Sequence, residues 1–173
     1  MAAYYYLMAS LPDLKPDGDL PLTYEEFLTC CEYNVDDPEF QLLKDLKLSS
    51  TEGPLVREWA DFYGALSNEL NYQRSMNLGK SYPTNYEKDA AASQVVAAAL
   101  SAKNPLEAEK ILLEYEFNTL DQLVGAHTFD AEGVFGYAIK LRLLERLNSF
   151  EQDKGKSEFK SLFDGIQQRV YSL

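Results

Sequence analysis

Histidine is nearly missing from this chain: His127 is the only one among 173 residues, and there are just two cysteines. Zinc motifs built on several histidines or paired cysteines are thereby excluded, as are di-iron bundles that need a Glu-x-x-His on each of two helices. The cysteines, Cys30 and Cys31, are neighbours. Adjacent cysteines rarely bond, because the ring is strained and closes no useful loop, so a reduced, cytosolic compartment is expected. No asparagine stands in an Asn-x-Ser/Thr frame, in keeping with an intracellular protein. Long apolar runs are missing too: nothing approaches the roughly 18 to 20 residues that cross a bilayer. The opening MAAYYYLMASLP has no basic stretch of the kind that starts a secretory signal. Positive charge is scarce, with 16 Lys plus Arg against 28 Asp plus Glu and a net charge of −12. Such a chain is repelled by duplex nucleic acid and by anionic membrane, so neither is an expected partner.

What the chain does have is apolar matter. Hydrophobic residues make up 46% and aromatic residues 13%, enough for a chain of this size to bury a core without metal or disulfide. The charge is uneven. Residues 1–56 hold eleven acids and three bases, while residues 57–173 hold seventeen and thirteen.

The pattern along the chain is helical almost throughout. Tyr4-Tyr5-Tyr6-Leu7-Met8 is too short for periodicity to separate a strand from the first turn of a buried helix, and Pro12, Pro16, Gly18 and Pro21 then mark a loop. Thr23 with Glu26 has the form of a capping box and predicts a short helix to about Tyr33. Asp37-Pro38-Glu39 predicts a second, with Phe40, Leu43, Leu46 and Lys47 at helical spacing. After Gly53-Pro54, the residues Leu55, Trp59, Phe62, Leu66 and Leu70 form one apolar stripe running to about Met76. The stretch from Gly79 to Tyr86 breaks the pattern. It divides an acidic N-terminal helical part, residues 1–78, from a C-terminal helical part, residues 79–173, the two expected to pack as one domain.

In the second part, Ala90 to Ala102 is alanine-rich and suits close helix packing. Asn104-Pro105 caps the next helix, whose face is Leu106, Ile111, Leu112 and Tyr115. Val134, Tyr137, Ala138, Leu141 and Leu144 fall in register between Asp130 and Phe150, and Phe159, Leu162, Phe163, Ile166 and Val170 predict a last helix after Ser157. The expected fold is all-α, a bundle of about seven helices, with no fixed-period repeat.

Catalytic constellations are hard to assemble from these residues. Gly79-Lys80-Ser81 has the tail of a phosphate-binding loop, but the glycine required five positions earlier is Arg74. Glu25, Glu26, Glu107 and Glu109 sit where capping and solvated helix faces explain them better than a magnesium site does. Cys30 and Cys31 lie in a helical pattern where small apolar packing is the ordinary role. His127, in Gly-Ala-His-Thr-Phe-Asp just before a helix start, reads as a turn or capping residue without an identified acid partner. No catalytic, cofactor-binding or metal residue is assigned, and no cofactor is expected. Lys140, Arg142 and Arg146 stand out instead as a local basic patch, with Arg142 and Arg146 one turn apart. Their structural role would be to pair with Glu145 or the acidic first third. As a function, such a patch docks an acidic partner.

Three segments carry a family resemblance: Tyr5-Tyr6-Leu7-Met8-Ala9-Ser10-Leu11-Pro12, Asn104-Pro105-Leu106-Glu107-Ala108-Glu109, and Tyr137-Ala138-Ile139-Lys140-Leu141-Arg142-Leu143-Leu144-Glu145-Arg146. Together they resemble an uncharacterised bacterial family of domains of unknown function, whose genes lie beside those of V-type ATPase subunits. Members of that family look distantly similar to the all-helical C subunit, d in eukaryotes, that caps the rotor ring. Tyr63 to Arg74 and Tyr137 to Arg146 are similar to its paired helices, in which an aromatic start is followed by an Asn- or Lys-bearing helix ending in Arg. C-type subunits are much longer and contain three related helical units, so this chain matches only part of one. The resemblance implies a partner rather than a reaction. The expectation is a non-enzymatic accessory or C-like central-stalk subunit of a bacterial V-type ATPase, with its other subunits as partners and no small-molecule substrate. Its place would be cytoplasmic, at the membrane's cytoplasmic face through the complex. The alternatives are a free-standing cytosolic helical adaptor that binds a partner or peptide, and an enzyme using carboxylates and one divalent metal.

Overall fold

A computed structural model of the chain describes residues 2–82 and 88–149, and every regular element within them is an α-helix. The aromatic start forms helix α1 (Ala2–Ser10), which tucks Leu7 into the core. The Tyr4 hydroxyl donates to Glu39 and holds α1 against the third helix. The expected capping box is present: the Glu26 amide donates to the Thr23 hydroxyl at 3.3 Å and the Thr23 amide to the Glu26 carboxylate at 2.7 Å. It opens α2 (Tyr24–Cys31), which ends two residues before the expected Tyr33. Helix α3 (Asp37–Lys44) starts one residue earlier than its Pro38 signal suggests, with Asp36 rather than Asp37 in the capping position.

The long stripe becomes α4 (Val56–Asn77), with Trp59 fully buried and its indole N–H donating to the Leu48 carbonyl at 3.1 Å. The alanine-rich segment forms α5 (Ala90–Leu100), whose Ala92, Val96 and Ala99 pack with Leu66 and Leu112 in a small second cluster. Helix α6 (Pro105–Val124) opens on Asn104, which accepts the Glu107 amide at 2.8 Å. Helix α7 (Ala131–Asn148) opens on Asp130, which accepts the Gly133 amide at 3.1 Å. Seven helices are therefore present among the described residues, with α1 as the first. The helix expected after Ser157 lies outside those residues, as does the second half of the Gly79 to Tyr86 break.

Helix α7 is the centre of the arrangement. Val134, Phe135, Ala138, Ile139, Leu141, Leu143 and Leu144 are buried on several sides of it, and its charged residues are no more than part-exposed. It packs against α1, α2, α3 and α6, while α5 fills the space between α4 and α6. The main core draws on Leu7 and Phe27 at one end of the chain and on Phe117 and Leu144 at the other, so both parts of the chain share it.

Gly133 lets the chain enter α7 from a tight corner. A β-carbon there would sit 2.5 Å from the His127 carbonyl oxygen and 2.9 Å from that of Thr128, backbone atoms that cannot swing aside. Gly133→Ala is accordingly expected to cost about 1–3 kcal/mol by overpacking. Gly64→Ala, mid-helix in α4 with no neighbour within 4 Å of the added carbon, is expected to gain about 0.5–1 kcal/mol by removing glycine's conformational freedom. Thermal unfolding of the two variants beside the parent measures both shifts.

Candidate functional site

Lys140, Arg142 and Arg146 do not form one patch. Residues two apart on a helix project about 200° apart, and Lys140 faces a different hollow from the other two. Lys140 pairs with Asp121 of α6 and lies over the Phe117 ring. Arg142 stacks on Tyr24 with its guanidinium carbon 3.4 Å from the ring centroid, donates to Glu145 at 2.9 Å and donates to the Leu46 carbonyl at 3.2 Å. Glu145 in turn accepts the Tyr24 amide at 3.3 Å. Arg142 thus ties the start of α2 and the end of α3 to α7.

Arg146 lies deeper. It grips Glu116 with two parallel donors, one at 3.1 Å, and also donates to Glu109. Glu116 is only 2% exposed. Burial pushes its carboxyl above the usual carboxylate range, and the Arg146 charge and hydrogen bonds work against that push. The arginines do pair internally. Arg146, however, pairs with α6 rather than with the acidic first third. Glu109, read as a solvated-face residue, is part of this pair, while Glu26 and Glu107 lie in first turns as expected. With Tyr63, Arg142, Glu145, Lys47, Leu48 and Ser49, Arg146 lines an open hollow of about 550 Å³.

The corner before α7 gathers other chemistry. His127 Nδ1 lies 2.6 Å from an Asp130 carboxylate oxygen and 2.9 Å from one of Glu132. The sequence had suggested no acid partner for it; the turn supplies two. The hydrogen bond that His127 donates to Asp130, helped by the charges of Glu132 and Asp130, raises the His127 pKa above its ordinary 6.5. Burial works against the Asp130 charge, but the His127 hydrogen bond and the Gly133 amide outweigh it and hold that carboxyl below its usual range. Among the described residues these three bring their ligand atoms within 4.8 Å of one another, so they have the donor set for a divalent cation. Their mutual hydrogen bonds and the capping role of Asp130 already account for the arrangement.

Beside this corner lies an exposed aromatic cluster. Tyr5 packs tilted against Phe129 at 4.8 Å and meets Tyr6 edge-on at 5.7 Å, yet the three remain 52%, 46% and 72% exposed in the order Tyr5, Phe129, Tyr6. Met8, on α1 with Tyr5, and Thr128, next to Phe129, line a hollow of about 290 Å³ whose other apolar groups include Val124 and Tyr137 and whose charged groups include Asp13, Asp121 and Lys140. Sequence reasoning missed this surface, because Phe129 meets Tyr5 only through the fold. A signal did exist for the buried pair: Glu116 falls on the same stripe as Leu112, Leu113, Phe117 and Leu120, where a carboxylate needs a cation. Cys31 is buried in the core and Cys30 is exposed. Burial pushes the Cys31 thiol up to about 12, far from a reactive thiolate.

Removing Arg146 strands two carboxylates, so Arg146→Met is expected to destabilise by about 3–5 kcal/mol, while Glu116→Leu with Arg146→Met recovers the part of the loss that Glu116 causes. Denaturant unfolding of the single and double variants measures the difference. Because the His127 pKa is raised by folding, its stabilisation is fully present below pH 6.5 and is lost as pH rises through the folded value. An NMR titration of the imidazole is expected to give a midpoint above 6.5, and His127→Gln is expected to flatten the fall of Tm above that pH.

No helix among the described residues is long and apolar enough to cross a membrane. Neither the curated proteins nor the solved structures contain a match to the chain. Residues 87–170, slightly less than half of the chain and spanning the Arg146 pair and the His127 corner, match the family described as Protein of unknown function (DUF2764).

Proposed function

We propose that the chain is a non-enzymatic accessory or C-like central-stalk subunit of a bacterial V-type ATPase, working by docking onto other subunits. The observation that carries the docking mode is the outward-facing cluster of Tyr5, Tyr6 and Phe129. Aromatic rings are enriched in interface cores, and contiguous exposed apolar groups mark contact sites. The choice of machine rests on the resemblance of residues 5–12, 104–109 and 137–146 to the ATPase-linked family.

A stalk component has to transmit force without deforming. The dense apolar surroundings of α7, together with Arg146 clamped between two glutamates, suit that task, since packed interiors transmit strain and compress little. The open hollow with Lys47 and Arg142 offers contact with an acidic neighbour. Membrane proximity comes through the complex alone, on its cytoplasmic side.

The test is affinity capture of the tagged protein at endogenous level from gently solubilised membranes of its own host, read by mass spectrometry. Recovery of V-type ATPase subunits is expected. Their loss in Lys47→Glu, a change at an exposed side chain, assigns the basic hollow to the contact, whereas retention discards that hollow and keeps the complex. Recovery of no ATPase subunit contradicts the proposal and favours the free-standing adaptor.

A further inference from the structure

We infer that the face formed by α1 and the corner between α6 and α7 binds a cationic, amphipathic helical segment of a partner protein, with an arginine or lysine seated against the aromatic rings. The inference deepens the docking reading and rests on it for its biological setting. Two independent features of the surface agree on the charge of the occupant.

The first is the rings. Tyr5 meets both Tyr6 and Phe129, all three stay open to water, and Met8, one turn along α1 from Tyr5, carries the apolar surface into the hollow it lines. Aromatic faces attract guanidinium and ammonium groups, an effect that grows as water is displaced. The second is the rim. Asp13 and Asp121 line the hollow, and Asp130 and Glu132 stand beside it through His127. Against these four carboxylates the surface sets Lys140, already paired with Asp121, and the His127 ring, already bonded to two acids. An acidic segment would meet net repulsion there. A basic one gains steering and charge-assisted hydrogen bonds.

The molecule already uses this recipe inside itself. Arg142 lies flat on Tyr24 while bonding the carboxylate of Glu145. At the outer face no cation among the described residues lies over Tyr5, Tyr6 or Phe129, and the excess of acids at the hollow leaves that cation for the partner to supply. The hollow, about 290 Å³, has room for one long side chain, while the exposed rings take the apolar side of the helix that carries it.

The test uses the purified full-length chain and two synthetic 14-residue amphipathic peptides of leucine with either arginine or glutamate on the polar face, followed by NMR and fluorescence anisotropy. The arginine peptide is expected to bind and to perturb Tyr5, Tyr6 and Phe129, with binding that weakens as salt rises. Tyr5→Ala, Tyr6→Ala and Phe129→Ala together are expected to weaken it at least tenfold. Because all three rings are exposed, an unchanged Tm will show that the fold survives. Asp13→Asn with Asp121→Asn is expected to weaken it severalfold, and Glu58→Gln with Asp61→Asn on the outer side of α4 hardly at all. Four results overturn the inference: no binding of the arginine peptide, equal binding of the glutamate peptide, equal weakening by the α4 control, or unchanged affinity in the aromatic variant. Two more assign the face to another occupant and also overturn it. One is concentration-dependent dimerisation lost in the aromatic variant, and the other is NMR contact of Tyr6 or Phe129 with residues 150–173 in the free protein. The capture from host membranes separates this claim from the stalk reading: subunit recovery without peptide binding removes only the cationic face, and peptide binding without subunit recovery removes only the ATPase.

Discussion

Helix α7 can exist only if something covers every side of it. Its run from Val134 to Leu144 is apolar except for Lys140 and Arg142 and is buried on several sides, and the other helices are arranged around that need. Helices α1, α2 and α3 cover one side and α6 another, with α4 and α5 forming an outer layer against α6. The half-buried charge of Arg146 is tolerated because Glu116 takes its fork in two parallel bonds and Glu109 accepts a third. This pair fixes how α7 lies along α6. It also joins α4 through the Tyr63 hydroxyl, 3.5 Å from the guanidinium.

From that arrangement follows a division of the surface charge. The three cations of α7 that looked like a docking patch are engaged in holding helices together, each with its own carboxylate. What remains outward beside the α6 to α7 corner is aromatic and acidic. The surface most suited to a partner is therefore formed where α1 meets that corner, with only Lys140 of the three basic residues at its margin. The basic hollow at Lys47 and Arg142 lies on a separate surface. A body with two contact surfaces of opposite character fits a component held between neighbours, the role proposed for it in the ATPase.

Local signals in the sequence were legible wherever a residue acts on its own helix. The Thr23 and Glu26 box, the Asn104-Pro105 start and the long stripe of α4 all appear where spacing placed them. The Tyr4 to Tyr6 run was undecidable locally, and the contacts of Leu7 with the core and of Tyr4 with Glu39 come from elsewhere in the chain. Asp36 rather than Asp37 takes the capping position because Pro38 is accepted at the second helical residue as well as the first. The site was harder to read. Pairing of Arg146 with Glu116, packing of Phe129 against Tyr5 and the two acids around His127 depend on how α6, α7 and α1 are brought together, and periodicity carries no information about that.

The central claim is that this helical body is a docked component of a V-type ATPase. Cryo-electron microscopy of the intact ATPase purified from the host tests it most directly. The account predicts density for the α1 to α7 body on the cytoplasmic side of the membrane, with Tyr5, Tyr6 and Phe129 turned into a contact with a basic helix. A complete, active complex with no such density would contradict it.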